Sequence, residues 1–405
     1  MVSFTILVIS MTLLLLAPYT IYGRPDMIVA AGFISYGLFS CRGRIPKSLI
    51  RDNVILFAVL GISLYGALIS SVYVTPQNVS PQINHPRVIF SFIIVYWSFW
   101  GVTIFCNKRI FFDINFKNLL IYIGLLNSCI ILVQFFNSDF RAIVDSYLVQ
   151  LGLRYDVGFK FRGIASAGGA GLSVFQALIF ALVLFQISQK EIGYIKGILI
   201  CLIIFLATLL IGRTGTIFMI LTCIIFALRS WKIFVSAGIF VFLIVTFYEA
   251  LSALMFDERS SSNVLFYSLG FLFESNGLSN EGTLSGIKDH YFLPNSPNIL
   301  WGYGFYGLGN FEPWTDSGYV RSILSVGLPL ALLKYFLLLI LFYNRCGKSL
   351  MFFLLLSILL VAEIKEPLLI SGFGSRLFLA LMIFTYYFKN NHNTDEINKQ
   401  RELTP

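Results

Sequence analysis

NILWGYGFYGLGNFEPWTDSGYVRSILSVG, residues 298–327, is a polar stretch rich in glycine and aromatic residues that turns directly into an apolar helix. Asp316, Ser317, Tyr319 and Arg321 stand at that turn, where a loop meets the edge of a greasy segment. Ionisable groups held at membrane depth are costly, so such residues are functional candidates by default. The plainer alternative is that Asp316 caps the following helix and Arg321 snorkels to the interface.

Working outward from this turn, the chain is apolar nearly throughout. Of its 405 residues, 57 % are hydrophobic and 12 % charged, and the mean hydropathy is +0.82. Soluble domains carry about 25 % charged residues, so the composition specifies an integral membrane protein. Backbone groups in lipid must be satisfied within the segment, and the runs lack the alternation of a barrel, so the spans are read as helices. The first run, residues 2–21, is closely followed by Arg24 without a small-residue cleavage site, and is read as a retained helix. Six cysteines show neither a CxxC pair nor metal spacing, so no disulfide framework, metal site or cofactor is expected. The net charge of +9 is read as a cytoplasmic excess of basic residues rather than as a nucleic-acid footprint.

About twelve spans are expected, at residues 2–21, 27–41, 53–74, 88–106, 118–136, 172–188, 197–211, 214–228, 233–248, 319–343, 349–362 and 368–388. They make a single transmembrane domain over residues 1–388. With the N-terminus inside, the inside loops collect sixteen of the 29 basic residues, which is the positive-inside pattern. The polar tail at 389–405 is then cytoplasmic and is read as disordered. Two long loops lie outside. Residues 137–171 end in the run KFRGIASAGGAG, and residues 250–318 hold VLFYSLGFLFE, apolar enough to lie along the membrane surface.

The outside ends of the later spans gather cations. Arg162 precedes the glycine-rich run, Arg213 sits in IGRTGT at a hairpin tip, Arg321 is just inside the tenth span, and Lys365 and Arg376 flank the last outside turn. Guanidinium forks bind phosphate bidentately, and glycines let backbone amides approach. The alternative for each is headgroup anchoring. Asp316 is the first choice of general base and His290 the second. Lys334 lies deep in the tenth span and faces a cavity or another helix, or else snorkels towards the inside. Tyr319 and its aromatic neighbours suit either sugar stacking or an interfacial belt.

Taken together, about twelve helices, a large outside loop before the tenth span, GRTG at a hairpin tip, WGYGFYG and DSGYVRSILSVG resemble the bacterial O-antigen polymerases (Wzy), within a superfamily shared with the O-antigen ligases. The ligase pattern has a histidine where Asp316 stands here, and a second glycine where this chain has Leu330, which favours the polymerase side. The resemblance implies a GT-C-like membrane glycosyltransferase of the inner membrane with a large periplasmic loop. It would take undecaprenyl-diphosphate-linked oligosaccharide as donor and acceptor, need no metal, and act beside a flippase and a chain-length regulator. Arg213, with Arg162 and Arg321, would stabilise the departing diphosphate. Asp316 would deprotonate the acceptor hydroxyl, and a single displacement would invert the anomeric centre. His290, Tyr319, Lys365 and Arg376 would complete the substrate site. A ligase and, from another class, a flippase for lipid-linked oligosaccharide stay open; the absence of an internal repeat weighs against the flippase.

Overall fold

The computed structural model describes residues 2–18, 20, 23–43, 45–72, 83–108, 115–150, 161–228, 230–231, 235, 238, 291–294, 296–306 and 315–402. Among them there is no β-strand; the helices are α1 (Val2–Leu16), α2 (Pro25–Ser40), α3 (Lys47–Val72), α4 (Asn84–Lys108), α5 (Phe116–Phe136), α6 (Ser138–Gln150), α7 (Ala170–Ser188), α8 (Tyr194–Ile211), α9 (Arg213–Ala227), α10 (Asn298–Trp301), α11 (Gly318–Val326), α12 (Leu328–Cys346), α13 (Leu350–Ala362) and α14 (Phe373–Glu402). Six of these, α3, α4, α5, α7, α8 and α12, are long and apolar enough to cross a membrane. A helix lies over each of the first eight expected spans. The expected span at 233–248, apart from residues 235 and 238, and the surface segment 264–274 lie outside the described residues.

The helices form two compact units. One comprises residues 1–26 and 117–285, the other residues 27–116 and 286–405. In the first unit α7 is the central helix, packed by α8 and α9. All but three of its nineteen residues are buried, the polar Ser173, Gln176 and Gln186 among them. Lipid is as apolar as leucine, so close packing rather than water exclusion must hold such helices together. Gly215 of α9 supplies that closeness. A Cβ there would lie 2.2 Å from the Ser173 carbonyl oxygen of α7, and the Gly215 N–H donates to Ser173 Oγ at 3.1 Å.

In the second unit α4 packs on α3 and α14, and α12 packs on α3, α11 and α14. The span expected at 319–343 is two helices, not one, because the chain breaks at Gly327. This glycine has φ +81°, and a Cβ on it would stand 2.1 Å from the Leu300 carbonyl oxygen. The break strands the last carbonyls of α11. In an unbroken helix the acceptor at Ser325 would take the N–H of residue 329, but Pro329 has none. The loop after α10 fills the gap, Tyr303 N–H donating to Leu324 at 2.7 Å and Gly304 N–H to Ser325 at 3.1 Å. The tail expected to be disordered instead continues α14 as helix through Glu402.

Candidate functional site

The turn that opened the sequence reading closes on itself. Ser317, not Asp316, caps α11, its Oγ accepting from the Val320 N–H, while Thr315 Oγ1 accepts from the Ser317 N–H at 3.1 Å. Asp316 is thereby left to pair with Arg321. The guanidinium gives its Nε to the Thr315 carbonyl at 2.9 Å and a terminal nitrogen to Asp316 Oδ1 at 3.2 Å. The pair is lopsided in exposure, Arg321 at 12 % and Asp316 at 35 %, so the carboxylate is the member that faces outward. Tyr319 is half-buried; its hydroxyl donates to the Leu360 carbonyl at 2.8 Å and its ring tilts against Tyr335.

The turn after α13 sits against this one. Gly318 N–H donates to the Glu363 carbonyl at 3.0 Å, and Tyr291 links the two turns, donating to the Ile364 carbonyl at 2.7 Å and lying 3.2 Å from Ser317 Oγ. Burial of the Tyr291 hydroxyl raises its pKa. Lys365 is exposed on the same turn, and Arg376 is half-buried in the first turn of α14. His290 and the aromatics at 311 and 314 lie outside the described residues.

Arg162 and Arg213 belong to the first unit. There the glycine-rich lead-in to α7 is drawn into the helices by amide side chains. Gln134 Oε1 accepts from the Gly163 N–H at 3.1 Å and Asn127 Oδ1 from the Ile164 N–H at 3.0 Å. Gly163, at φ +63°, has no room for a side chain, since a Cβ would lie 2.3 Å from Asn127 Oδ1. Phe161 N–H reaches the Leu210 carbonyl at 3.4 Å, and the Gly212 Cα faces the Gly169 carbonyl. Arg162 follows Phe161, and Arg213 is the first residue of α9 after Gly212, so both arginines stand at one glycine-lined end of this unit. A third joins them. Arg141 of α6 lies 4.7 Å over the Phe161 ring and 3.6 Å from Asp145. Its position in a short amphipathic helix within a loop gave no signal beyond its charge.

Lys334 was legible in the sequence, but its surroundings were not. Lys334 and Glu363 are both 0 % exposed, and two hydroxyls join them. Lys334 Nζ donates to Ser322 Oγ at 2.5 Å, Ser322 Oγ is 3.1 Å from the Tyr335 hydroxyl, and that hydroxyl donates to Glu363 Oε1 at 2.7 Å. Glu363 Oε2 accepts from the Leu369 N–H at 2.7 Å. Lys334 also lies 5.7 Å from the Tyr306 ring, which stacks at 4.0 Å on His85, whose Nδ1 is 2.8 Å from Ser325 Oγ. The signal that could have found Glu363 is the one that found Lys334, an ionisable residue beside a long apolar run. Among the described residues no group of three His, Cys, Asp or Glu side chains converges as a metal site would.

Comparison with family models, with curated proteins and with solved structures gives no match.

Proposed function

We propose that this chain is a membrane glycosyltransferase that joins oligosaccharide repeat units carried on undecaprenyl diphosphate, an O-antigen polymerase of GT-C-like type with about twelve spans. It would act on the periplasmic side of a bacterial inner membrane, with both termini cytoplasmic. The observation that supports it best is the glycine-lined end of the first unit, where Arg162 adjoins Gly163, which has no room for a side chain, and Arg213 follows Gly212. Guanidinium forks beside approachable backbone suit a diphosphate leaving group. In this scheme the acceptor hydroxyl oxygen attacks the anomeric carbon, the bond from that carbon to the phosphate oxygen breaks, and the lipid diphosphate departs towards Arg213 and Arg162. For the base that takes the hydroxyl proton we propose Asp316 on its place in the sequence alone; it belongs to the second unit. Arg321 serves here as the residue that orients Asp316, a change from the phosphate contact expected of it, because its guanidinium is already held by Asp316 and Thr315.

Purified protein given lipid-linked repeat units, with chain length read on a gel, tests the roles. Arg213→Lys keeps the charge but loses the fork and should stay strongly impaired. Asp316→Asn should lose about 10²–10⁴-fold in rate, the usual worth of a general base. Normal ladders from Arg213→Ala remove the diphosphate role. Normal ladders from Asp316→Asn remove the base.

A transporter reading draws on one observation, the broken α11–α12 helix beside buried Lys334 and Glu363, since discontinuous helices often carry transport sites. Chain growth in detergent, where nothing can be transported, separates it from the enzyme.

A further inference from the structure

The Lys334–Glu363 group is built unlike an ordinary buried ion pair. Its charges do not touch; two hydroxyls, Ser322 and Tyr335, stand between them 3.1 Å apart, and the Gly318 carbonyl is a second acceptor for both, at 2.8 Å from Ser322 Oγ and 3.1 Å from the Tyr335 hydroxyl. The line spans three elements: Lys334 and Tyr335 come from α12, Ser322 from α11, and Glu363 from the turn after α13. Gly318 keeps the room for it, because a Cβ there would sit 2.4 Å from Glu363 Oε1. Every member is buried. Two further polar atoms at the Lys334 end, His85 Nε2 and the Tyr306 hydroxyl, are buried without a hydrogen-bond partner among the described residues.

We propose that Lys334, Ser322, Tyr335 and Glu363 form a proton-binding site, in which a proton moves along the line between an ammonium–carboxylate pair and a neutral amine–carboxylic acid pair. The step balances within the four side chains. Lys334 Nζ gives its proton to Ser322 Oγ, the Ser322 hydroxyl turns from the Gly318 carbonyl and gives its own to the Tyr335 oxygen, and Tyr335 gives its own to Glu363 Oε1. Each hydroxyl gains one proton and loses one, and no co-reactant is needed. The choice of residues suits this. Lysine can surrender its proton when buried, where arginine does not. A buried carboxyl is costly when ionised, and burial raises the Glu363 pKa against the opposing pull of the Lys334 charge and the Leu369 and Leu368 amides.

The groups that face this site are Tyr306 from the loop after α10, His85 from α4, Tyr319 and Arg321 from α11, and Tyr291 from the turn before α10. Of these only Arg321 is a fixed charge, and it is held by Asp316. Tyr291, at 40 % exposure, lies on the turn of Glu363, its hydroxyl on the Ile364 carbonyl. The inference stands whether or not the chain polymerises sugars.

Infrared difference spectroscopy of the full chain in lipid nanodiscs, titrated with pH, tests it. Labelling glutamate carboxyls with carbon-13 assigns a protonated-carboxyl band to glutamate without any substitution. The expected result is such a band persisting well above the ordinary carboxylate range, lost in Glu363→Gln, and present to higher pH in Lys334→Met because the opposing charge is gone. A wild-type protein with no glutamic-acid band above that range overturns the site, as does a band whose midpoint Lys334→Met leaves unmoved.

Discussion

Two buried charge sites lie about 16 Å apart along α12, and they are built on opposite plans. At the end of the helix Arg345 meets Asp52 of α3 directly, its Nε donating to Asp52 Oδ2 at 2.6 Å and a terminal nitrogen to the Ser48 carbonyl at 2.5 Å. Tyr96 donates to the same carboxylate, and Tyr386 lies under the guanidinium at 4.1 Å. Near the start of the helix, Lys334 and Glu363 are kept apart by Ser322 and Tyr335. The first site uses the cation that never gives up its proton and clamps it in contact. The second uses the one that can, and inserts hydroxyls. One is a fastener that ties α12 to α3. The other is arranged for a charge that changes.

The largest effect is expected at the Arg345–Asp52 pair. Removing one partner of a buried pair strands the other charge, a loss of about 3–5 kcal/mol. Arg345→Met and Asp52→Leu should therefore each lower the thermal unfolding temperature in detergent sharply, and the double variant should lose less than either alone. Additive losses would mean the two residues are not coupled.

Next in size is Gly318→Ala, which would drive a methyl to 2.4 Å from Glu363 Oε1 and 2.7 Å from Pro367 Cα. Overpacking of this kind costs about 1–3 kcal/mol. Gly32→Ala in α2, where nothing lies within 4 Å, serves as the control and should be neutral or slightly stabilising. Equal losses at the two glycines would show that the close approach to Glu363 carries no weight.

Tyr335→Phe removes the hydroxyl that joins Ser322 to Glu363. Leaving a buried acceptor unsatisfied costs about 1–3 kcal/mol, so unfolding should shift by an amount at or below that of Gly318→Ala. An unfolding curve identical to wild type would mean the Tyr335 hydroxyl is not part of the line.

The smallest effect expected is on the pH dependence of stability. Burial raises the Glu363 carboxyl above its ordinary 4.5, so the folded chain holds a proton there more tightly than the unfolded chain. That contribution is fully present below pH 4.5 and is lost as pH rises through the folded-state value. Unfolding followed across this window should show stability falling with pH in wild type and a flatter profile in Glu363→Gln. The same slope in both would assign the dependence to other groups.

How much of this could be read from the sequence follows from distance along the chain. The apolar runs were legible because each span satisfies its own backbone, but the burial of α7 was not, since α8 is at least as apolar and only partly buried. The Asp316–Arg321 neighbourhood was visible because it is local, although Ser317 rather than Asp316 takes the cap. The break in the tenth span was legible in principle from Gly327 and Pro329, but the apolar run around them masked it. Pairings between distant residues were not legible. Asp52 meets Arg345 across 293 positions, and Tyr335 meets Glu363 across 28, through backbone approaches that no local pattern encodes. The docking of Gly163 against Asn127 and Gln134 is of the same kind.

The central proposal, glycosyl transfer from a lipid diphosphate, is tested most directly by its leaving group. Purified wild-type protein is given lipid-linked repeat units, and released undecaprenyl diphosphate is measured alongside the glycosidic linkages formed. The account predicts one diphosphate released for each linkage, with both falling together in Arg213→Lys. Repeat units that stay single, with no diphosphate released by a folded protein, would contradict it.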